Sequence, residues 1–144
     1  MDKNEIEAVI RASTVCRLGL CGPDGPYVVP LGFGYEDDRL YFHSSPHGRK
    51  IEMLQAEPRV CVEFDVDVRL VPHEQACKWS VNYRTVIAFG TARLVHDRDE
   101  KVRALNAIMR QYSGKGWEFD EAQVDRVAVI CVDIERATGK QSGY

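Results

Sequence analysis

Leu40-Tyr41-Phe42-His43-Ser44-Ser45-Pro46-His47-Gly48-Arg49-Lys50-Ile51-Glu52-Met53-Leu54-Gln55-Ala56 is the stretch that organises the reading of this sequence. It starts with the alternation of a strand, Leu40 and Phe42 against Tyr41 and His43, and then turns into a helix. Ser45 has the side chain of an N-cap, and Pro46 suits the first helical position, where a missing N–H costs nothing. Ile51 and Leu54 give the helix a buried face, and Glu57-Pro58 ends it. Ser44, Ser45, the free amides of the first turn, Arg49 and Lys50 therefore converge on one helix N-terminus. Hydroxyls, unpaired N–H groups, the positive end of the helix dipole and two cations together suit a phosphate. An ordinary capped helix with a solvated basic turn is the other reading of the same residues.

Outward from this stretch, the spacing predicts a helix over 3–13, with Ile6, Val9 and Ile10 on one face and Asp2 or Asn4 at its start. Strands are expected over 14–20 and 27–35, joined at the turn Gly22-Pro23-Asp24-Gly25-Pro26, then over 39–44, which feeds the central helix. Residues 59–66 alternate cleanly as a fourth strand, and 84–95 form a long β-rich run in which Gly90 marks a bulge or bend. The segment 67–79 reads as a loop around Pro72, His73, Glu74 and Gln75. Asp97 and Glu100 have capping-box spacing and open a helix that turns Val102, Leu105, Ile108 and Met109 inward and stops near Tyr112-Ser113-Gly114. A polar excursion over 115–125 precedes the last strand, 126–134, and a polar tail. The order α-β-β-β-α-β-β-α-β, with tight hairpins, predicts one domain over 1–144: a mainly β, six-stranded antiparallel barrel with helices at its ends.

Composition narrows the function classes. The 144 residues are 44% hydrophobic and 28% charged, with a net charge of −3. These are the proportions of a globular protein, without the basic face of a nucleic-acid binder. No apolar run reaches membrane-spanning length and the N-terminus lacks the apolar core of a signal peptide, so a cytoplasmic protein is expected. The five cysteines form no C-x-x-C pair; Cys16, Cys61 and Cys131 lie in apolar strands, where a buried thiol is the default, and no metal site is expected.

Several motifs fail on context. Gly32-Phe33-Gly34 lacks the third glycine and the following helix of a dinucleotide fingerprint. Gly139-Lys140 lacks the upstream glycine of a P-loop and is followed by Gln141. There is no G-x-S-x-G and no H-E-x-x-H. His43, His47, His73 and His96 are too scattered to read as metal ligands. Among them His43 stands out, at the mouth of the candidate phosphate site.

The ordered motifs Val28-Val29-Pro30-Leu31-Gly32-Phe33, Leu40-Tyr41-Phe42-His43-Ser44, Gly48-Arg49-Lys50 and Pro58-Arg59-Val60-Cys61 resemble the flavin-binding split-barrel superfamily of pyridoxamine 5′-phosphate oxidase. Tyr83-Arg84-Thr85-Val86-Ile87-Ala88-Phe89-Gly90-Thr91-Ala92, with Asp99, Glu100, Lys101, Ala104 and Leu105, is similar to the branch containing the 5-nitroimidazole-resistance (Nim-type) proteins. The match runs from about Ser13 to Gly139. The resemblance implies a split barrel that binds FMN at a homodimer interface. It places the FMN phosphate at His43, Ser44 and Lys50 and the ring along the backbone of Val29, Pro30 and Leu31. Arg84 and Thr85 match positions that touch the cofactor in relatives, partly across the dimer. His43 maps to a histidine near the flavin and is the candidate catalytic residue.

The implied activity is reduction of a small electrophile, for example a nitroaromatic, with electrons from NAD(P)H or another donor. A flavin-binding carrier, store or sensor without a substrate is the alternative, and haem or a deazaflavin is a third possibility. The C-terminal segment with Trp and Arg that holds substrate in pyridoxamine phosphate oxidases has no counterpart here, so vitamin B6 oxidation is not expected.

Overall fold

The structure is a computed structural model describing residues 1–144. Its frame is a seven-stranded, wholly antiparallel sheet that curls into a split barrel without closing. In chain order the elements are α1 (Lys3–Ala12), β1 (Cys16–Gly22), β2 (Gly25–Leu31), β3 (Gly34–Glu36), β4 (Arg39–Ser44), α2 (Arg49–Ala56), β5 (Arg59–Val71), a single 3-10 turn (Ala76–Lys78), β6 (Ser80–Leu94), α3 (Arg98–Ser113), α4 (Glu121–Arg126) and β7 (Ala128–Ser142). The strands lie in the order β2-β1-β5-β6-β7-β4-β3, so β2 and β3 are the two open edges although only Gly32 and Phe33 separate them in sequence.

The strand count rises from six to seven because the run 27–35 is two strands. At Gly32-Phe33 the chain leaves one edge of the sheet and joins the other. Phe33 turns fully into the barrel, where its ring meets Phe64 edge-on at 5.2 Å and 74°. Aromatic pairs favour this T-shaped contact. Period-2 patterning alone does not reveal the crossing, since an apolar residue between two glycines reads as a continuing strand.

Alternation sets the two faces of the sheet. Cys16, Leu18 and Leu20 of β1, Val60, Val62 and Phe64 of β5, and Val86 and Ala88 of β6 fill the barrel, together with Leu40 and Phe42 of β4 and Val9 and Ile10 of α1. A second, smaller core lies on the outside of β4 and β7. There Tyr41, Val129 and Cys131 meet Ala104, Leu105, Ala107 and Ile108 of α3 and Val124 of α4. The expected inward face of α3 is therefore shifted: Leu105 and Ile108 are buried, whereas Val102 and Met109 are half-buried and two alanines take their places. Small residues are needed there because α3 comes so close to β3 that a Cβ on Gly34 would overlap the backbone at Ala107 and Ile108.

Local signals held at two helix starts. Asp2 accepts from the Glu5 amide at 2.9 Å and Glu5 returns the bond to the Asp2 amide at 2.7 Å, a complete capping box. Asp97 likewise accepts from the Glu100 amide at 2.9 Å, but the Glu100 carboxylate is taken by Arg93 at 2.6 Å instead of closing the box.

Other boundaries moved. Strand β5 continues to Val71, bent where the register shifts between Val66 and Arg69, so the first part of the expected 67–79 loop is a hairpin arm, while 72–79 is the loop, carrying the 3-10 turn, before β6 starts at Ser80. The polar segment 115–125 contains the start of α4, capped by Asp120. The expected C-terminal tail is strand: Arg136 to Ser142 pair with Phe89 to Tyr83. Its inward positions are Ala137 and Gly139, too small to register as an apolar face, and a Cβ on Gly139 would meet Met1 and Ile6 of the α1 segment. The irregularity expected at Gly90 is present. Phe89 faces Arg136 while Gly90 faces Ile134, leaving Glu135 as the extra residue, and a Cβ on Gly90 would run into the Asp133 carbonyl. No helix is long and apolar enough to cross a membrane.

Candidate functional site

Strand β4 delivers its last residue, Ser44, to a four-residue loop that leads into α2. The helix does not begin at Ser45-Pro46. Its N-cap is Gly48, at φ 127, and Arg49 is the first helical residue. The reason is local. Gly48 adopts a backbone conformation that other residues avoid and reverses the chain there, while the Ser45 hydroxyl accepts from the His47 amide within the loop at 3.5 Å instead of capping the helix. Glu52 N–H reaches the Gly48 carbonyl at 3.2 Å, and no side chain caps the helix. The first-turn amides of Arg49, Lys50 and Ile51 are thus left without an intrahelical acceptor.

Two cations flank these amides and behave differently. Arg49 lays its guanidinium over the Tyr27 ring, 4.7 Å from the centroid, and ties the start of α2 to β2. Lys50 is half-buried and joins no ion pair. Burial alone pushes its ammonium below the ordinary value of 10.5. Lys50 and the unpaired amides therefore lie in one helical turn with no acidic group of the chain paired to the ammonium.

Strand β2 lies at the sheet edge with β1 as its only partner, which is where Pro26 and Pro30 are tolerated within a strand. Val29 and Leu31 lean toward the core and Pro30 faces outward, while the free edge leaves backbone donors and acceptors open beside them. Ser44 and His43 do not converge as side chains. They alternate on β4, so that Ser44 shares the barrel side with Phe42, and His43, exposed, shares the α3 side with Tyr41.

Arg84 and Thr85 stand elsewhere. Arg84 pairs in register with Val66 and Gln141 at the barrel end covered by α1. It contacts Asp67 at 3.4 Å and stacks on Tyr144 at 4.7 Å. The other end is covered by α2, whose Met53 packs where Gly22 has no Cβ. Thr85 is on the outer face of the sheet, donating to the Phe64 carbonyl at 2.9 Å beside a cluster of Arg17, Glu63 and Asp65. Ser44, Ser45 and Lys50 thus lie at and just before the start of α2, which meets β2 through Arg49 and Tyr27, while Val29, Pro30 and Leu31 lie farther along β2 and Arg84 and Thr85 lie toward the α1 end of the barrel. The sequence reading passed over Tyr27, whose role as a seat for Arg49 depends on a contact between residues 22 positions apart.

Comparison with known proteins agrees with this architecture. The family model described as pyridoxamine 5′-phosphate oxidase matches residues 2–141. The crystal structure of a candidate 5-nitroimidazole antibiotic resistance protein from Bacteroides thetaiotaomicron is 39% identical, with a TM-score of 0.86 over 96% of this chain and 82% of that one. A FAD-binding protein from Mesorhizobium loti is 26% identical, with a TM-score of 0.72 over 99% of this chain and 96% of that one. An uncharacterised protein of Rhizobium meliloti is 35% identical over 64 residues, 44% of this chain and 42% of that protein. The match thus spans less than half the length of that curated relative. A match over nearly the whole chain, on the same split barrel, makes this protein a member of the pyridoxamine 5′-phosphate oxidase family.

Proposed function

We propose that the protein binds FMN and works as an oxidoreductase on a small electrophile, nitroaromatics being the leading class. The observation that carries this reading is Lys50, a half-buried cation without an acidic partner beside three unpaired helix amides. A phosphate monoester brings roughly two negative charges, and these groups suit it. Ser44 supplies a hydroxyl at the same strand end, and Ser45 lies in the adjoining loop. The open edge of β2 at Val29, Pro30 and Leu31 suits the polar rim of a flat ring, since free backbone groups on an edge can pair with a ligand as they would with another strand. When bound, the flavin supplies electron transfer; the chain's own residues bind, orient and exclude water. The FAD-binding relative from Mesorhizobium loti supports a flavin, and the Bacteroides relative supports a nitro-bearing substrate.

The family resemblance assigns Arg84 and Thr85 to the same cofactor; since both lie toward the opposite end of the barrel, that assignment goes with a second copy of the chain, and a homodimer with a shared site is part of the proposal. NAD(P)H is the proposed electron donor. His43 is exposed and unbonded on β4, free to donate a proton or hydrogen bond once substrate is present. A second reading, a flavin carrier without turnover, draws support from His43 lying on the opposite face of β4 from Ser44. Absorbance spectroscopy with acid release and mass determination tests the cofactor. Flavin bands and a released mass matching FMN are expected; a Soret band, or a colourless protein that refuses added FMN, would overturn the proposal. Turnover of NAD(P)H with a nitroaromatic then separates enzyme from carrier.

Lys50 also sets a pH dependence. Burial disfavours its charged form, so without ligand it loses its proton at a lower pH than an exposed lysine. A bound phosphate restores the charge, so above that point binding must take up a proton. FMN affinity is therefore expected to fall as pH rises from neutrality toward the ordinary lysine value. Lys50→Arg, which stays charged throughout, should remove that fall. Titrations of FMN across this range check it.

A further inference from the structure

Gly32-Phe33-Gly34 fails as a nucleotide motif, yet both glycines meet the same partner. A Cβ on Gly34 would overlap the α3 backbone at Ala107 and Ile108, and a Cβ on Gly32 would overlap the Tyr112 hydroxyl, one helical turn farther on. The two glycines are a seat for α3, and the second contact places a phenol over the residue that follows Leu31. The last turn of α3 is pinned in that position. Gln111 donates to the carbonyls of Arg11 and Ser13, both at 2.9 Å, and locks the turn to the end of α1.

Tyr112 is held firmly but is not used up. The residue is 48% exposed, and its hydroxyl makes no hydrogen bond within the chain, whereas the side chains of neighbouring Gln111 and Ser113 are hydrogen-bonded to backbone carbonyls. Burial raises its pKa from an already high ordinary value, so the phenol O–H is a donor at neutral pH. The hydroxyl oxygen is the atom nearest Gly32, with the ring carbons behind it, so phenylalanine would keep the ring in place and remove only that oxygen. The hydroxyl sits on a pinned helix end at the finish of the open β2 edge, and no group of the chain competes for its proton.

We propose that Tyr112 is a substrate-binding residue, its phenol O–H donating to an oxygen acceptor, such as a nitro or carbonyl oxygen, of the small molecule held beside the Val29–Leu31 edge. This rests on the flavin reading above, because that edge is where the ring is proposed to lie. The test uses the full chain loaded with FMN, oxidised and without an electron donor, and calorimetric binding of nitrofurazone. Tyr112→Phe should take up FMN and melt as the wild type does, yet bind nitrofurazone about fivefold more weakly, the worth of one net hydrogen bond. A tyrosine that only packs would leave this affinity unchanged, because Phe keeps the ring and opens only the place of one oxygen over Gly32. Gly32→Ala, which pushes the hydroxyl off its seat, should weaken the probe at least as much. Equal affinity in wild type and Tyr112→Phe, or no binding to the loaded wild type, overturns the assignment of Tyr112 alone. A chain that takes up no FMN overturns both readings.

Discussion

Lys50→Ala is expected to weaken FMN binding by about ten- to a hundredfold. A hydrogen bond to a charged group is worth roughly 1.5–3 kcal/mol, and each 1.4 kcal/mol is about tenfold in affinity. The upper part of that range applies because Lys50 is half-buried and has no carboxylate to leave when the phosphate arrives. The unpaired amides of Arg49, Lys50 and Ile51 survive the substitution, so some affinity should remain. Lys115→Ala removes the same charge from an exposed side chain resting on the Trp117 ring at 5.2 Å and should leave binding intact. Fluorescence titration of FMN against the three proteins decides the matter. Equal affinity in wild type and Lys50→Ala would remove the phosphate from α2.

Phe33→Ala should cost about 3–5 kcal/mol of stability, the range for emptying a buried aromatic site. Phe33 is fully buried, stacked edge-on against Phe64, and sits in the two-residue crossing between the open edges of the barrel. The cavity is difficult to refill because the chain on both sides is fixed, by Gly32 against Tyr112 and by Gly34 against the α3 backbone. For a chain of this length the loss corresponds to a fall of roughly 10–20 °C in melting temperature. Thermal and urea unfolding without added flavin measure it free of ligand stabilisation. A loss below about 1 kcal/mol would mean that the crossing is not anchored in the core.

Elements whose signals are local were legible. Asp2 with Glu5, and Asp97 ahead of α3, mark helix starts through bonds spanning three residues. The turn at Gly22–Gly25 marked the first hairpin, and the alternation of residues 59–66 marked the start and the inward face of β5, though not its extension to Val71. What depended on distant partners was misread. The start of α2 moved from Ser45 to Gly48 because the backbone at Gly48, rather than a side-chain cap, reverses the chain. The tail 135–142 is strand because β6 offers it an edge and α1 covers its small inner residues. The crossing at Gly32-Phe33 looked like continuous strand because its cause, the approach of α3, lies some 75 residues later in the chain.

The candidate site divides along the same line. Sequence by itself determined its components: a hydroxyl-bearing strand end, two cations at a helix start, and a proline-bearing strand next to glycines. These are read from residue type and short-range spacing, which act before the chain folds. Tertiary structure alone decided their relations. It gave Arg49 to Tyr27 and left Lys50 without a counter-ion. It sent His43 to the opposite face of β4 from Ser44, carried Arg84 to the far end of the barrel, and set Tyr112 over Gly32. Each of these follows from which strand lies beside which and which helix covers the seam. Long-range packing fixes that arrangement, and no local pattern encodes it.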